Sequence, residues 1–397
     1  MITLKNFSLT TASSALIFCA TTLPSAAISF YSITELPFTP SDINDNGQIV
    51  GEKYLWTNGT LTDFSNIISG NPSLVRLNAI NNQGKIVGYW YAGNYAIGEE
   101  AFIFDGNNIT KIDRPPVDIC LSEVSCTNVI PQDINDAGQI ALVGLTSYTS
   151  QFRYGAYGLL RDVDGTFTNL FSARYVSGMA LNNSGQVIGN LTGGPIWNSF
   201  FYDNGKLTQL FPTEVTTTYK SLVPLTLSSI NDRGQVVGSG RMIYDLRDLF
   251  SAPYHGLLWN NPEQNPIGTD LGFIGSRYGQ ANSINNLGQI VGAYAYGSEY
   301  YSTSAVIWEE NNIYDLSNFI APNLGWQLTS ALKINNKGQI IGNGYLNGQP
   351  RGFLLTPVST SVPEPTSTFS LLGFAAFGIG WQIKLRCNNK KSKHLIS

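Results

Sequence analysis

Through the middle of the chain, short apolar runs alternate with clusters of Asn, Asp and Gly, and one nine-residue unit of this pattern is written seven times. It stands at residues 43–51 (INDNGQIVG), 80–88 (INNQGKIVG), 134–142 (INDAGQIAL), 181–189 (LNNSGQVIG), 230–238 (INDRGQVVG), 284–292 (INNLGQIVG) and 334–342 (INNKGQIIG). The starts lie 37 to 54 residues apart, a period that suits one four-stranded propeller blade per copy.

Each unit carries hairpin chemistry. Asn or Asp at the turn entry accepts backbone hydrogen bonds and Gly takes a left-handed position, so the apolar flanks become antiparallel strands A and B. A third apolar segment, strand C, follows every copy, as in Tyr54-Leu55-Trp56, Ala101-Phe102-Ile103-Phe104 and Phe353-Leu354-Leu355. Turn signals such as Asn58-Gly59, Asp105-Gly106, Asp164-Gly165 and Asn204-Gly205 lead to a fourth strand, D, seen in Leu61-Thr62-Asp63-Phe64 and Leu207-Thr208-Gln209-Leu210. The seventh copy has no D segment, because Leu355 runs into Thr356-Pro357, but Tyr31-Ser32-Ile33-Thr34-Glu35-Leu36 fits the D pattern. The predicted fold is therefore all-β: a seven-bladed β-propeller over residues 28–358, closed by its N-terminal strand, which removes two sheet edges.

The repeats resemble the extracellular family called HAF, whose motif has the same I-N-N-x-G-Q-I-V-G core, over about residues 29–356. That resemblance brings no agreed activity with it. Copy three departs from the motif, with Ala141-Leu142 where Val-Gly is usual, which predicts a different packing or a bulge there.

The two ends read as address signals. Residues 1–27 have the form of a secretory signal peptide, with Lys5 in the charged region, an apolar stretch over residues 12–23 and the small residues Ser25-Ala26-Ala27, so the mature chain is expected to begin at Ile28. Phe18 before Cys19 argues against a lipoprotein signal. At the other end, Pro363-Glu364-Pro365 lies in a linker at 359–366, followed by an apolar span at 367–383 and a tail at 384–397 rich in Lys and Arg. The prolines keep the junction extended, the span is just long enough to cross a bilayer, and the basic tail is expected to stay in the cytoplasm.

This order resembles the PEP-CTERM sorting signal. The resemblance implies an exosortase, an integral-membrane cysteine transpeptidase, as processing partner, with the C-terminal helix anchoring the chain in the membrane until cleavage near the triplet. Delivery would then be to the cell surface or an exopolysaccharide matrix. A permanent single-pass anchor is the competing reading.

Composition narrows the partners. Charged residues make up 13% of the chain and the net charge is -4, so no basic face is available to neutralise phosphates and nucleic acid is not an expected partner. Only His255 and His394 exist, which leaves no metal-spaced histidine set, and nothing in the sequence calls for a cofactor. Asp42, Asn44, Asn46 and Gly47 match the opening of a calcium loop, but position twelve is Lys53 and the plain hairpin is favoured. Cys120 and Cys126, in an apparent loop, are candidates for a short disulfide outside the cytoplasm.

Up-and-down blades place the A–B and C–D turns on one rim and the B–C and D–A connections on the other. The second rim collects the long insertions, at 89–100, 114–130, 144–155, 211–227, 239–254 and 293–304, which is where recognition is expected. Tyr89, Trp90, Tyr91, Tyr95, Tyr294, Tyr296, Tyr300 and Tyr301 lie in these insertions and are the ligand-binding candidates, suited to stacking on sugar rings or peptide. The competing reading is that the rings fill space between blades.

Catalysis has a thinner basis. Among the residues just before each repeat core only Asp42 and Asp133 are acids, and a glycosidase needs two carboxylates at a set separation. The expectation is an exported, non-enzymatic binding or structural protein of the cell surface or extracellular matrix, associated with polysaccharide. A secreted glycoside hydrolase or lyase is the alternative.

Overall fold

A hairpin of fixed construction recurs at every copy. In the computed structural model, the Gly47 amide donates to the Asn44 carbonyl at 3.0 Å and the Asn44 amide to the Gln48 carbonyl at 3.1 Å. Gly47 has φ +75°, so a three-residue loop with a left-handed glycine reverses the chain. The other six copies repeat both bonds, from Asn81, Asn135, Asn182, Asn231, Asn285 and Asn335. The structure describes residues 30–358 except 69–71, 73, 92–98, 117, 120–125, 147–154, 174, 193–197, 212–224, 242–252, 273–277, 296–302 and 310–311.

Each hairpin grows into a propeller-like four-stranded antiparallel sheet. In the second copy the strands are Leu74–Ile80, Ile86–Tyr91, Glu99–Phe104 and Ile109–Lys111, paired in that order. Copies one, three and four give sheets of the same order. The fifth and sixth are joined by one parallel bridge, Tyr254 to Tyr278, and the D strand of the fifth is cut to Thr269–Asp270. The seventh copy supplies Trp326–Ile334, Ile340–Leu346 and Gln349–Pro357, and Tyr31–Leu36 takes its open edge, with Tyr31 opposite Pro357 and Leu36 opposite Gly352. The start of the described chain thus provides the fourth strand that the last copy lacks.

The Ile-Val pair of the repeat explains how sheets stack. Consecutive strand residues point to opposite faces, and a sheet covered on both faces wants both to be apolar. Ile86 packs with Val50 and Phe64 of the first copy, whereas Val87 packs with Ile134 and Leu142 of the third. The same division holds at every copy, for example Ile290 backward to Val237 and Val291 forward to Leu328. There are seven such clusters among the described residues, one between each pair of successive copies, and the seventh joins Ile341 and Leu354 to Ile43 and Ile49.

The closing glycine of the repeat has a steric cause. Strand A slips by one residue just before the repeat core in six copies, between Leu77 and Ala79 in the second and Ala281 and Ser283 in the sixth. The bulge pushes a carbonyl against strand B: a Cβ on Gly88 would lie 2.1 Å from the Arg76 oxygen, and one on Gly292 1.8 Å from that of Gln280. The bulge is general, not the peculiarity of copy three that Ala141-Leu142 predicts. In copy three Leu142 instead fills the core, opposite Pro131.

Several insertions are shorter than expected, because the ladder continues into them. Strand B of the second copy runs to Tyr91 and strand C starts at Glu99; in the sixth copy the corresponding limits are Ala295 and Thr303. Residues 126–130, expected in a loop, open the strand Cys126–Ile134. Residues 1–29 and 359–397, which carry the expected leader, the Pro363-Glu364-Pro365 triplet, the apolar span and the basic tail, lie outside the described residues. Among the described residues no helix is long and apolar enough to cross a membrane.

Removal of residues 28–37 strips a buried strand edge and the core residues Tyr31 and Leu36. A loss of several kcal/mol is expected, read by calorimetry as a fall in melting temperature of roughly 10 °C or more. An unchanged transition would contradict the closing role of this strand.

Candidate functional site

The face that carries the A–B turns is closed by its own hydrogen bonds. The first Asn of each copy is at most 5% exposed and donates its side-chain amide to the main-chain carbonyl of the same Asn in the next copy. Asn335 donates to Asn44 at 2.9 Å, which completes the cycle. The residue after that Asn forms another cycle: its main-chain amide donates to the side-chain oxygen of its counterpart in the next copy, from Asp45 to Asn82 through to Asn336, whose amide returns to Asp45 at 2.8 Å. A polar pocket of about 160 Å³ sits inside these rings, lined by the Asn and Asp residues and by Asp42.

Asp42 and Asp133, which sequence alone could not bring together, do meet electrostatically, and Lys333 joins them. Lys333 Nζ lies 4.0 Å from Asp42 Oδ1, and their side chains are 30% and 14% exposed. Burial pushes the Asp133 carboxyl up to about 6, against the pull of Lys333 and helped by the nearby Asp42 charge. Asp42 is raised for the same first reason, burial, with Lys333 opposing. For Lys333 burial acts downward, but the two carboxylates outweigh it and its pKa is raised.

The carboxylates also have structural employment. Asp42 Oδ2 accepts the Ile80 amide at 2.9 Å, one copy along, and Asp133 Oδ2 accepts that of Leu181 at 2.9 Å. Asp133 Oδ1 accepts its own neighbour, the Ile134 amide, at 2.9 Å. Ser229 and Ser283 serve the Ile284 and Ile334 amides in the same way, at 3.4 and 3.3 Å. The position before the repeat core is thus a clasp between successive sheets. In the suggested calcium loop Asn44 Oδ1 is similarly occupied, since it accepts the Asn46 and Gln48 amides at 3.0 Å.

On the opposite face the aromatic candidates divide. Trp90 and Tyr294 are core residues, 7% and 0% exposed, and are corrected here from loop to strand. Strand alternation turns Trp90 inward onto Phe102, ring centroids 5.3 Å apart, where no ligand stacks. Tyr89 and Tyr91, also strand residues, are half-buried side by side with centroids 6.1 Å apart, and Tyr91 donates to Glu99 at 2.6 Å. Tyr95, Tyr296, Tyr300 and Tyr301 lie outside the described residues, as does Cys120; Cys126 opens a strand.

No protein-family model matches the sequence, and no curated protein matches it. Among solved structures the chain is similar to the Pyrococcus horikoshii acylaminoacyl peptidase, at 12% identity over 82% of this chain and 52% of that one, with a TM-score of 0.47. It is similar also to YCF48 from Cyanidioschyzon merolae, at 10% identity over 83% of this chain and 99% of that one, TM-score 0.48. A six-bladed β-propeller lectin from Aleuria aurantia follows at 10% identity, over 72% of this chain and 95% of the lectin, TM-score 0.35. The chain spans about half the length of the peptidase. Likeness this slight bears on no activity.

The axial charges make a prediction about pH. Asp133 holds its proton more tightly folded, near 6, than at its ordinary value of 3.8, so its contribution to stability is present at low pH and lost as pH rises through about 6. The melting temperature is expected to fall between pH 5 and pH 7, with a smaller fall in Asp133→Asn. Equal slopes in the two proteins would show that another group titrates.

Proposed function

We propose that this chain is a seven-bladed β-propeller that is exported to the cell surface or extracellular matrix and serves there as a non-enzymatic polysaccharide-binding or structural protein. The observation that carries the reading is the contrast between the two faces. One is satisfied by two internal hydrogen-bond cycles and leaves few groups for a partner. The other receives the longer connections and presents the half-buried Tyr89 and Tyr91 at its strand ends. Seven core clusters, each shared by successive copies, support the blade count.

The alternative, a glycan hydrolase or lyase, draws on the meeting of Asp42 and Asp133. Against it, both carboxylates accept main-chain amides, and a pocket of about 160 Å³ is smaller than the roughly 300 Å³ at which ligand sites begin. Export rests on the leader-like residues 1–27, and sorting on Pro363-Glu364-Pro365 with the apolar span and basic tail after it. In this reading an exosortase-type enzyme removes the membrane helix, and neither cofactor nor nucleic acid takes part.

Two experiments test the proposal. Purified protein is expected to be retained on immobilised surface polysaccharide without shortening it, equally for the Asp42→Asn/Asp133→Asn variant; chain scission lost in that variant would establish the enzyme instead. Mass spectrometry of the protein from its native cells is expected to find a mature start at Ile28 and an end near Pro363-Glu364-Pro365. Lys384 and the residues after it still attached would mean a permanent anchor.

A further inference from the structure

The face that receives the longer connections is interrupted where the seventh sheet meets the first. Both B–C connections are tight there: Glu52 and Lys53 join Ile49–Gly51 to Tyr54–Thr57, and Asn347 and Gly348 join Ile340–Leu346 to Gln349–Pro357. Between them opens a cleft of about 360 Å³, walled by Thr39, Glu52, Asn343, Tyr345, Pro350 and Arg351. All of its lining belongs to the described residues. Its volume lies within the range of small-ligand sites, unlike that of the axial pocket.

The cleft is rich in polar groups that the protein does not use. Thr329 Oγ1 donates to the Asn343 carbonyl at 2.8 Å, but the Asn343 side-chain amide has no partner among the described residues, nor has the hydroxyl of Tyr345, which is 42% exposed. One oxygen of Glu52 accepts the Thr39 amide at 3.1 Å and the other is left over. Arg351 Nε donates to Glu35 at 2.6 Å and Nη1 to the Pro350 carbonyl at 2.8 Å, which leaves Nη2. An amide, a phenol, a carboxylate oxygen and a guanidinium nitrogen thus stand together in the cleft lining without a partner among the described residues and open to a ligand.

The backbone around them is held, not slack. Glu52 sits at φ +50°, a conformation that side-chain-bearing residues rarely take and that costs energy, so it persists only where the surroundings impose it. They do so through the Thr39 bond to its carboxylate and the Leu77 amide, which donates to the Glu52 carbonyl at 2.7 Å. The bond to Thr39 holds the Glu52 carboxylate at the cleft.

From these groups we propose that the seam cleft binds one or two residues of a neutral sugar. A pyranose offers hydroxyls that both donate and accept, matching a mixed set of free donors and acceptors, and an apolar face for the Tyr345 ring. An anionic ligand would meet the Glu52 carboxylate, and the Arg351 charge is already engaged by Glu35. The inference rests on the polysaccharide-binding reading and locates its contact point.

The test uses an array of neutral and acidic mono- and oligosaccharides, probed with the intact protein and with Asn343→Ala, Tyr345→Ala and Glu52→Gln. Their side chains reach the cleft surface, so melting temperatures close to that of the parent are expected and are measured alongside. The parent is expected to bind neutral glycans, and Asn343→Ala and Tyr345→Ala each to weaken binding by about tenfold or more. Binding undiminished in all three variants would overturn the cleft and leave the polysaccharide reading standing. Neutral monosaccharides bound at the cleft, with no retention on surface polysaccharide, would do the reverse. Binding confined to acidic glycans, or none at all, would overturn this inference.

Discussion

The architecture depends on one side chain used seven times: the first Asn of each repeat. Its amide nitrogen donates twice, to the carbonyl of the same residue in the next copy and, in six copies, to the Gln four residues on. Its oxygen accepts the turn amides, as Asn285 Oδ1 does from Leu287 at 3.1 Å and Gln289 at 3.0 Å. Only a short amide has two donors and an acceptor at this reach; Asp would set an acceptor against a carbonyl, and Ala would leave the turn amides unpaired at about 1–3 kcal/mol each, while the neighbouring carbonyl kept only its turn-glycine donor. Where Lys85 replaces the Gln, Asn81 turns its donor to Gln83 at 3.3 Å, so the requirement is met by another route.

The second ring obeys a rule of parity. Around the cycle its members are Asp45, Asn82, Asp136, Asn183, Asp232, Asn286 and Asn336, so acceptor-only carboxylates alternate with amides that donate to them. Seven is odd, and one like pair is unavoidable. It is Asn286 beside Asn336, and each still reaches a carboxylate on its far side, Asp232 at 2.8 Å and Asp45 at 3.0 Å. A pair of Asp at that step would bring two carboxylates together with one donor fewer. The ring therefore holds its three charges apart, each between amides, and its composition is a consequence of closure.

Much of this was legible in the sequence because it is written in period-two and turn chemistry. The Asn-x-x-Gly hairpin, the Ile-Val pair facing two sheets and the D-like pattern of Tyr31–Leu36 are local signals with a single structural meaning. What escaped depends on register and on closure. Trp90 and Tyr294 looked like loop aromatics because nothing local marks where a ladder stops; once strand B extends past the repeat, alternation decides which rings turn inward. The bulge in strand A leaves no residue signature of its own, yet it explains the closing glycines Gly88, Gly238, Gly292 and Gly342, each of which meets a strand A carbonyl. Asp42 and Asp133 stand 91 positions apart in the chain, and only the cycle brings them within electrostatic reach, with the small Ala79 at the intervening position.

One departure from the repeat stands where the cycle is joined. Lys333 of the last copy and Asp42 of the first are adjacent only across that join, and they are the pair whose charges meet at 4.0 Å. Lys333, Ala79 and Ala180 cannot accept the next copy's main-chain amide as Ser229 and Ser283 do, and after Ala79 Asp133 serves its own neighbour, Ile134. On the other face the strand that completes the seventh sheet must turn within residues 37–41 into strand A of the first, and that short passage with two tight B–C turns leaves the seam open. A repeat array is uniform by construction, so the step that ends it is where individual side chains gain freedom to differ. The same step that removes the sheet edges thereby creates both the charged cluster near the axis and the polar cleft at the rim.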